Sequence, residues 1–476
     1  MKLSRVAWLC LLPLPCLQPL AASAQPISFT EAWQQVLKVS DKLQAQSQEV
    51  NRAKGEEAAG ESLNLPSLSL NGSYTHLDKP IELDLRDLNP LASLDPATLP
   101  PALGGVLAGI PSSMFVTPFT EQDIFRASLQ AMWPIYTGGQ ITAAQGIHAA
   151  MVAEKQQELQ LTTRDLFTQL VDRYYAVDVT KALVNTQTEL VDSFTKHLDH
   201  ALALEREGQI AKVERLNAQV ALDSAKVNLG SARRQHEMAV IALSRMLQQS
   251  ATALLETQSS LFLLPHAPSL GDVTQVTLSQ HPALKLLEAK EAQANGLVSL
   301  EQGKYHPTVF LFGNYTLYED DSLFSQIEPD WIVGVGVKVP LLSRDGRSGK
   351  VEAAKSALLQ ARYTKAQTRQ DLSLLVDQSY RQLLQAEEEV TALDTSLELA
   401  TENLRLRDIA FNQGLSTSID RVDAELKLSG VKTQQLAARY RYVQAYARLM
   451  AISGQLDEFI GRTADSRLMQ ETNNAR

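Results

Sequence analysis

The side chains that most often carry catalysis or hold metals are sparse here and badly spaced for either task. The eight histidines are scattered along 476 residues without an HExxH pair or any other ligand spacing. His76 and His306 sit at the ends of alternating segments. His197, His200 and His236 lie inside long helical stretches, where packing or surface roles are commoner than ligation. No nucleophile elbow is present. Gly346-Arg347-Ser348-Gly349-Lys350 resembles a phosphate loop at first sight, but it lacks the Walker spacing and the following Ser or Thr, and reads as a turn. No catalytic, cofactor-binding or metal-ligating residues are expected, and an enzyme is the least favoured class.

The N-terminus points to export. Lys2 and Arg5 precede an apolar run from Val6 to Leu17, and Ala22-Ser23-Ala24 is a small-x-small cleavage pattern. Residues 1–24 are therefore expected to be a signal peptide. Cys10 and Cys16, the two cysteines of the chain, would leave with it, so disulfides and thiol chemistry are not expected. Loss of Lys2 and Arg5 takes the formal charge from −10 to about −12, which disfavours nucleic acid as a partner. No later stretch has the roughly 18 uninterrupted apolar residues of a membrane helix.

Self-comparison organises the rest. At an offset of 206, Pro134 matches Pro340, Asp165 matches Asp371, Tyr174 matches Tyr380, Gly208 matches Gly414, and Arg215 matches Arg421. Upstream the offset is 241 and pairs Leu43 with Leu284, Pro66 with Pro307, and Tyr74 with Tyr315. The difference of 35 is an insertion between Tyr74 and Phe125. The chain thus reads as a duplication, 25–262 and 270–455, with a linker at 263–269 and a polar C-terminal tail at 456–476.

Each half predicts helix, strand, loop, strand, very long helix, tight turn and helix. Strands are expected at about 66–76 and 125–134, with a long loop at 77–123, and at about 307–318 and 331–340. Leu68, Leu70 and Tyr74 alternate with Ser69, Asn71 and Ser73, while Val333, Val335 and Val337 alternate with Gly334, Gly336 and Lys338. Such amphipathic segments suit tilted transmembrane strands, and equally suit a half-buried soluble sheet. Tyr74, Trp133, Tyr315 and Trp331 near the strand ends would form an aromatic girdle.

The helices favour the membrane. From Gln140 to Arg206 there is no Pro, and Gly146 is the one Gly. A helix of that length spans about 100 Å and implies coiled-coil packing. Four strands per chain do not close a barrel, and lipid does not tolerate open edges. Membrane-embedded strands would therefore require oligomerisation. Three copies give twelve strands and a lumen, whereas two give eight, which side chains tend to fill.

Pro134-Ile135-Tyr136-Thr137-Gly138-Gly139 with the Ala-rich helix after it, its counterpart from Pro340 through Gly346 to Gly349, the turns Glu207-Gly208-Gln209 and Gln413-Gly414-Leu415, and His281-Pro282-Ala283-Leu284 together resemble the outer-membrane efflux protein family, the TolC-like channels. The resemblance covers nearly the whole chain after residue 24. It implies an α plus transmembrane β fold: a trimeric 12-stranded β-barrel, four strands per chain, joined to a long periplasmic α-helical coiled-coil barrel. It also implies a homotrimer embedded in outer-membrane lipids, docked to a periplasmic adaptor (membrane fusion) protein and an inner-membrane pump of RND, ABC or MFS type. The function implied is a passive exit duct for efflux or type I secretion; the rival classes are a periplasmic coiled-coil adaptor and a structural protein without a pore.

The resemblance places Gly208 and Gly414 at the periplasmic tip. Glu214 and Asp420, six residues after each Gly, and Asp423 one turn on, would form carboxylate rings at a gate. Pro134, Gly138, Gly139, Pro340 and Gly346 mark the barrel-to-helix turns. Thr417-Ser418-Ile419-Asp420 resembles a capping box with Asp in place of Glu. The family's Tyr and Arg latch is replaced by Phe411 and Ser416, which argues against a polar latch at the tip.

Overall fold

The structure, a computed structural model, describes residues 26–84, 100–102, 111, 114, 116–118, 120–249, 256–264, 267–320 and 328–463. The expected signal peptide, most of the long loop and the end of the tail lie outside the described residues. The chain divides into two compact units, the first comprising residues to Gln48, Gln157–Lys285 and from Gln367 onward, the second Glu49–Gln156 and Leu286–Ala366.

The second unit holds the principal sheet. Strands β2 (Ser67–His76), β5 (Asp123–Tyr136), β7 (Thr308–Glu319) and β8 (Trp331–Lys338) pair antiparallel in the order β2-β5-β7-β8. Leu70 faces Leu129, Leu129 faces Tyr315, and Tyr315 faces Trp331, so the alternation of each strand adds up to one apolar face across all four. Ser69, Gln130 and Asn314 stand together on the other face. The apolar face is uncovered, with Leu70 68% and Val333 71% exposed. Phe312 and Phe310 fill the opposite face above Gly334 and Gly336, where an added Cβ would come within 2.6 Å and 2.4 Å of the ring tips.

Two boundaries differ from the sequence expectation, each because of a proline. β5 continues past Pro134 to Tyr136 through a register shift that absorbs the missing N–H. β8 stops at Lys338, before Pro340, rather than reaching it. The 77–123 segment also contains a short antiparallel pair, β3 (Glu82–Asp84) with β4 (Val116–Pro118).

The first unit is helical. It takes in α1 (Phe29–Val39) and α5 (Leu270–Gln280) and much of four longer helices: α3 (Gln140–Arg206), α4 (Lys212–Met246), α7 (Arg347–Asn412) and α8 (Ser418–Ser453). α2 (Asp41–Glu61) and α6 (Pro282–Gly303) lead from each half toward the sheet. The core is an aromatic cluster of Phe29, Phe167, Tyr174, Tyr175, Tyr446 and Phe459, all at most 1% exposed, arranged mostly edge to face. The Tyr174 hydroxyl donates to the Ile27 carbonyl and accepts from the Ser259 N–H. It thereby ties the long helix to the parallel pair β1 (Pro26–Ile27) and β6 (Glu256–Thr257). Phe459 corrects the tail boundary. Residues 456–463 are helical, and Phe459 is fully buried, because a single aromatic in a polar stretch completes the cluster.

His281 caps the helix that follows it. Its Nδ1 accepts from the Ala283 N–H at 3.1 Å, so the imidazole does N-capping work ahead of Pro282, the first residue of α6.

Candidate functional site

The two helix–helix turns of the first unit hold five of the residues singled out by sequence: Gly208, Glu214, Gly414, Asp420 and Asp423. Gly208 and Gly414 have φ of +73° and +71°. In each turn the N–H after the glycine reaches back five residues, Gln209 to the Leu204 carbonyl and Leu415 to the Ala410 carbonyl, both at 2.8 Å. This closes the C-termini of α3 and α7 in the Schellman manner.

Asp420 completes the capping box of α8. Its Oδ2 accepts from the Thr417 N–H and hydroxyl and the Ser416 hydroxyl, at 2.8–3.0 Å, while the Asp420 N–H donates to Thr417 Oγ1. These bonds, the Thr417 backbone first, hold its carboxyl below the usual range. Glu214, its repeat counterpart, is tied differently. Its Oε2 accepts from the Ser418 N–H at 2.9 Å, so a side chain of the first hairpin caps the helix of the second. Asp423 is exposed and makes no hydrogen bond or ion pair among the described residues.

A part-buried polar cluster stands beside the second turn, built from residues the sequence analysis did not single out as a group. Arg421, 11% exposed, pairs with Asp408 at 2.7 Å and lies 3.8 Å from Glu425. Its other edge reaches Ser193 Oγ, which donates to Glu425. Arg215, its repeat mate, spans the first hairpin to Glu205 at 2.7 Å. His197, buried on α3, lies 2.7 Å from Ser418 Oγ and packs edge-on against Phe411. Burial, and next the Arg421 charge, push the imidazole down to about 4. The repetition of Arg215 and Arg421 was visible in the sequence. The His197 contact was not, since its partner is 221 residues away.

The strand-to-helix turns that follow β5 and β8 lie in the second unit. Gly138 (φ +65°) is doubly constrained, because a Cβ there would fall 2.6 Å from the Gly303 carbonyl oxygen. Gly139 and Gly346 also have positive φ. Pro134 marks the β5 bulge, and the Pro340 carbonyl accepts from Arg347 at 3.1 Å. No group of three or more His, Cys, Asp or Glu side chains converges as a metal site among the described residues, and no described helix is long and apolar enough to cross a membrane.

The family model for the outer membrane efflux protein matches residues 32–248 and 273–455. The cobalt-zinc-cadmium resistance protein CzcC of Cupriavidus metallidurans is 22% identical over 350 residues, 72% of this chain and 79% of its own length. Among solved structures, the outer membrane protein VceC from Vibrio cholerae superimposes with a TM-score of 0.71 at 14% identity, covering 90% of this chain and 96% of VceC. The open state of the Neisseria gonorrhoeae MtrE outer membrane channel gives 0.70 at 16% identity, covering 90% and 89%.

Proposed function

This chain belongs to the outer membrane efflux protein family, and from that premise we propose that three copies close into one twelve-stranded barrel that serves as a passive exit duct. It is an outer-membrane efflux channel component with a large periplasmic portion. The observation that carries the duct reading is the sheet. Among the described residues its apolar face is bare, and its outer strands β2 and β8 each leave one edge unpaired. A sheet with both properties is stable in lipid only when other copies supply the missing edges. The helices support the same assembly. Val213, Val220 and Val227 recur every seven residues on α4 and are exposed, a coiled-coil seam with its partner outside the chain.

The duct does no chemistry of its own. Substrate is delivered by an inner-membrane pump through a periplasmic adaptor that docks at the Gly208 and Gly414 turns. Asp423, with Asp420 beside it, forms the carboxylate ring at that entrance. Glu214 contributes less, since it is engaged in capping α8. The test of the assembly is outer-membrane fractionation followed by gels of unheated and heated samples. A heat-modifiable trimer in the outer-membrane fraction is expected. A soluble monomer overturns the proposal.

A further inference from the structure

The chain after β8 reads Lys338-Val339-Pro340-Leu341-Leu342-Ser343-Arg344-Asp345-Gly346-Arg347-Ser348-Gly349-Lys350. Leu341 and Leu342 are 88% and 97% exposed. They follow the stripe residues Val333, Val335 and Val337 along the chain, past the end of the strand. Basic residues follow directly. Lys304, His306, Lys338, Asp345 and Arg347 line a hollow of about 220 Å³. Lys350, Arg347 and Lys304 lie close enough to Asp345 to lower its carboxyl, after the Ser343 hydroxyl bond that does so most.

Two of these cations are not used up by the fold: Lys338 and Arg344 have no carboxylate partner among the described residues. Arg347 donates to the Lys304 and Pro340 carbonyls and stacks on Tyr305, with Asp345 as a nearby acid. Lys304 has Glu301 at 2.7 Å.

The duplication supplies an internal control. At the same offsets the first repeat has Met132 for Lys338, Gly138 for Arg344, Ile141 for Arg347, Ala144 for Lys350 and Leu63 for Lys304. The first repeat builds the equivalent strand-to-helix turn without one of these charges. The fold therefore does not require them, and their clustering on one repeat points to something outside the chain.

We propose that this second-repeat turn is a docking surface for anionic phospholipid headgroups of the periplasmic leaflet. Leu341 and Leu342 enter the acyl boundary while Lys304, Lys338 and Arg344 hold phosphate. An exposed leucine pair beside the unpaired Lys338 and Arg344 matches a membrane surface, apolar inside and anionic at the headgroup level. The inference rests on the reading above that the sheet spans the outer membrane with its helices on the periplasmic side.

The test uses the assembled channel in detergent, incubated with phosphatidylglycerol or phosphatidylcholine, with retained lipid counted by native mass spectrometry. The wild type should retain phosphatidylglycerol several-fold better. Lys304→Gln with Lys338→Gln and Arg344→Gln should remove most of that preference, and Leu341→Ser with Leu342→Ser should lower retention of both lipids. Arg347 is left in place because it pins two carbonyls. Equal retention of the two lipids by the wild type, an unaltered preference in the triple variant, or unaltered retention in the leucine variant overturns the proposal. Outer-membrane fractionation of the same proteins separates the two failures. Channels that reach the outer membrane as trimers yet show no lipid preference sink this inference alone, while a wild type absent from that fraction sinks the assembly reading with it.

Discussion

Acidification should loosen the tip through His197. The imidazole is buried between Ser418 and Phe411 and titrates near 4, against 6.5 for the exposed group. A histidine depressed in the folded state is held neutral, so its stabilising contribution is complete above pH 6.5. It is lost as pH falls from 6.5 toward 4, where the opened state takes up the proton first. Between pH 7 and pH 5 those two pKa values correspond to about 1.8 kcal/mol, or roughly 20-fold in a local opening equilibrium. Solvent screening lowers the expectation to about 1 kcal/mol, roughly fivefold. Arg421 and His200 act in the same direction as burial, while Asp408 from the second hairpin opposes them. Glu214, which bonds the Ser418 N–H, and Asp420, which caps the same helix start, are further acids near this contact.

Hydrogen–deuterium exchange on the assembled channel reads the effect. The segment from Leu190 to Ala218, corrected for intrinsic exchange rates, should open about five- to twentyfold more at pH 5 than at pH 7. His197→Gln keeps a hydrogen-bonding group toward Ser418 and removes the titration, so its pH response should be flat. Identical protection of the wild type at both pH values refutes the reasoning. So does a full response in His197→Gln, which would assign the proton to one of the neighbouring acids.

Three further outcomes are expected. Val335→Arg, on the bare apolar face, should cost about 2–4 kcal/mol in lipid and deplete the heat-modifiable trimer, whereas Ser69→Arg on the opposite face should assemble normally; gels of outer-membrane fractions compare them. Gly414→Ala should destabilise the second hairpin turn by about 1 kcal/mol through backbone strain alone, since no atom lies within 4 Å of the new Cβ, and exchange at Phe411–Asp420 should rise about fivefold. Asp420→Asn with Asp423→Asn should weaken divalent-cation block of single-channel conductance. Asparagine is the right replacement because alanine at 420 would also remove the acceptor of the α8 cap, and unchanged block would dismiss the ring.

The amino-acid order carried a great deal of this architecture because duplication and periodicity are one-dimensional signals. The 206-residue offset located both Gly turns, and the period-two alternation located the four strands of the principal sheet but not the short pairs β1–β6 and β3–β4. Thr417 and Asp420, three residues apart, announced the capping box that the structure contains. Errors arose where one residue overrides a pattern: Pro134 is absorbed by a bulge, Pro340 ends β8 early, and Phe459 draws a polar segment into the core.

What the sequence determined by itself was the set of local choices: strand or helix, turn or cap, and the asymmetry of charge between the two repeats. Tertiary structure decided which distant groups meet. Glu214 was legible as a first-turn acid and is in fact a cap for a helix 204 residues away. Arg421 was legible as the repeat mate of Arg215, and only the fold joins it to Asp408, Ser193 and Glu425. The physical reason is the same in each case. Backbone geometry is set by near neighbours, whereas pairing of buried charges depends on which helices pack together, and only the folded chain specifies that.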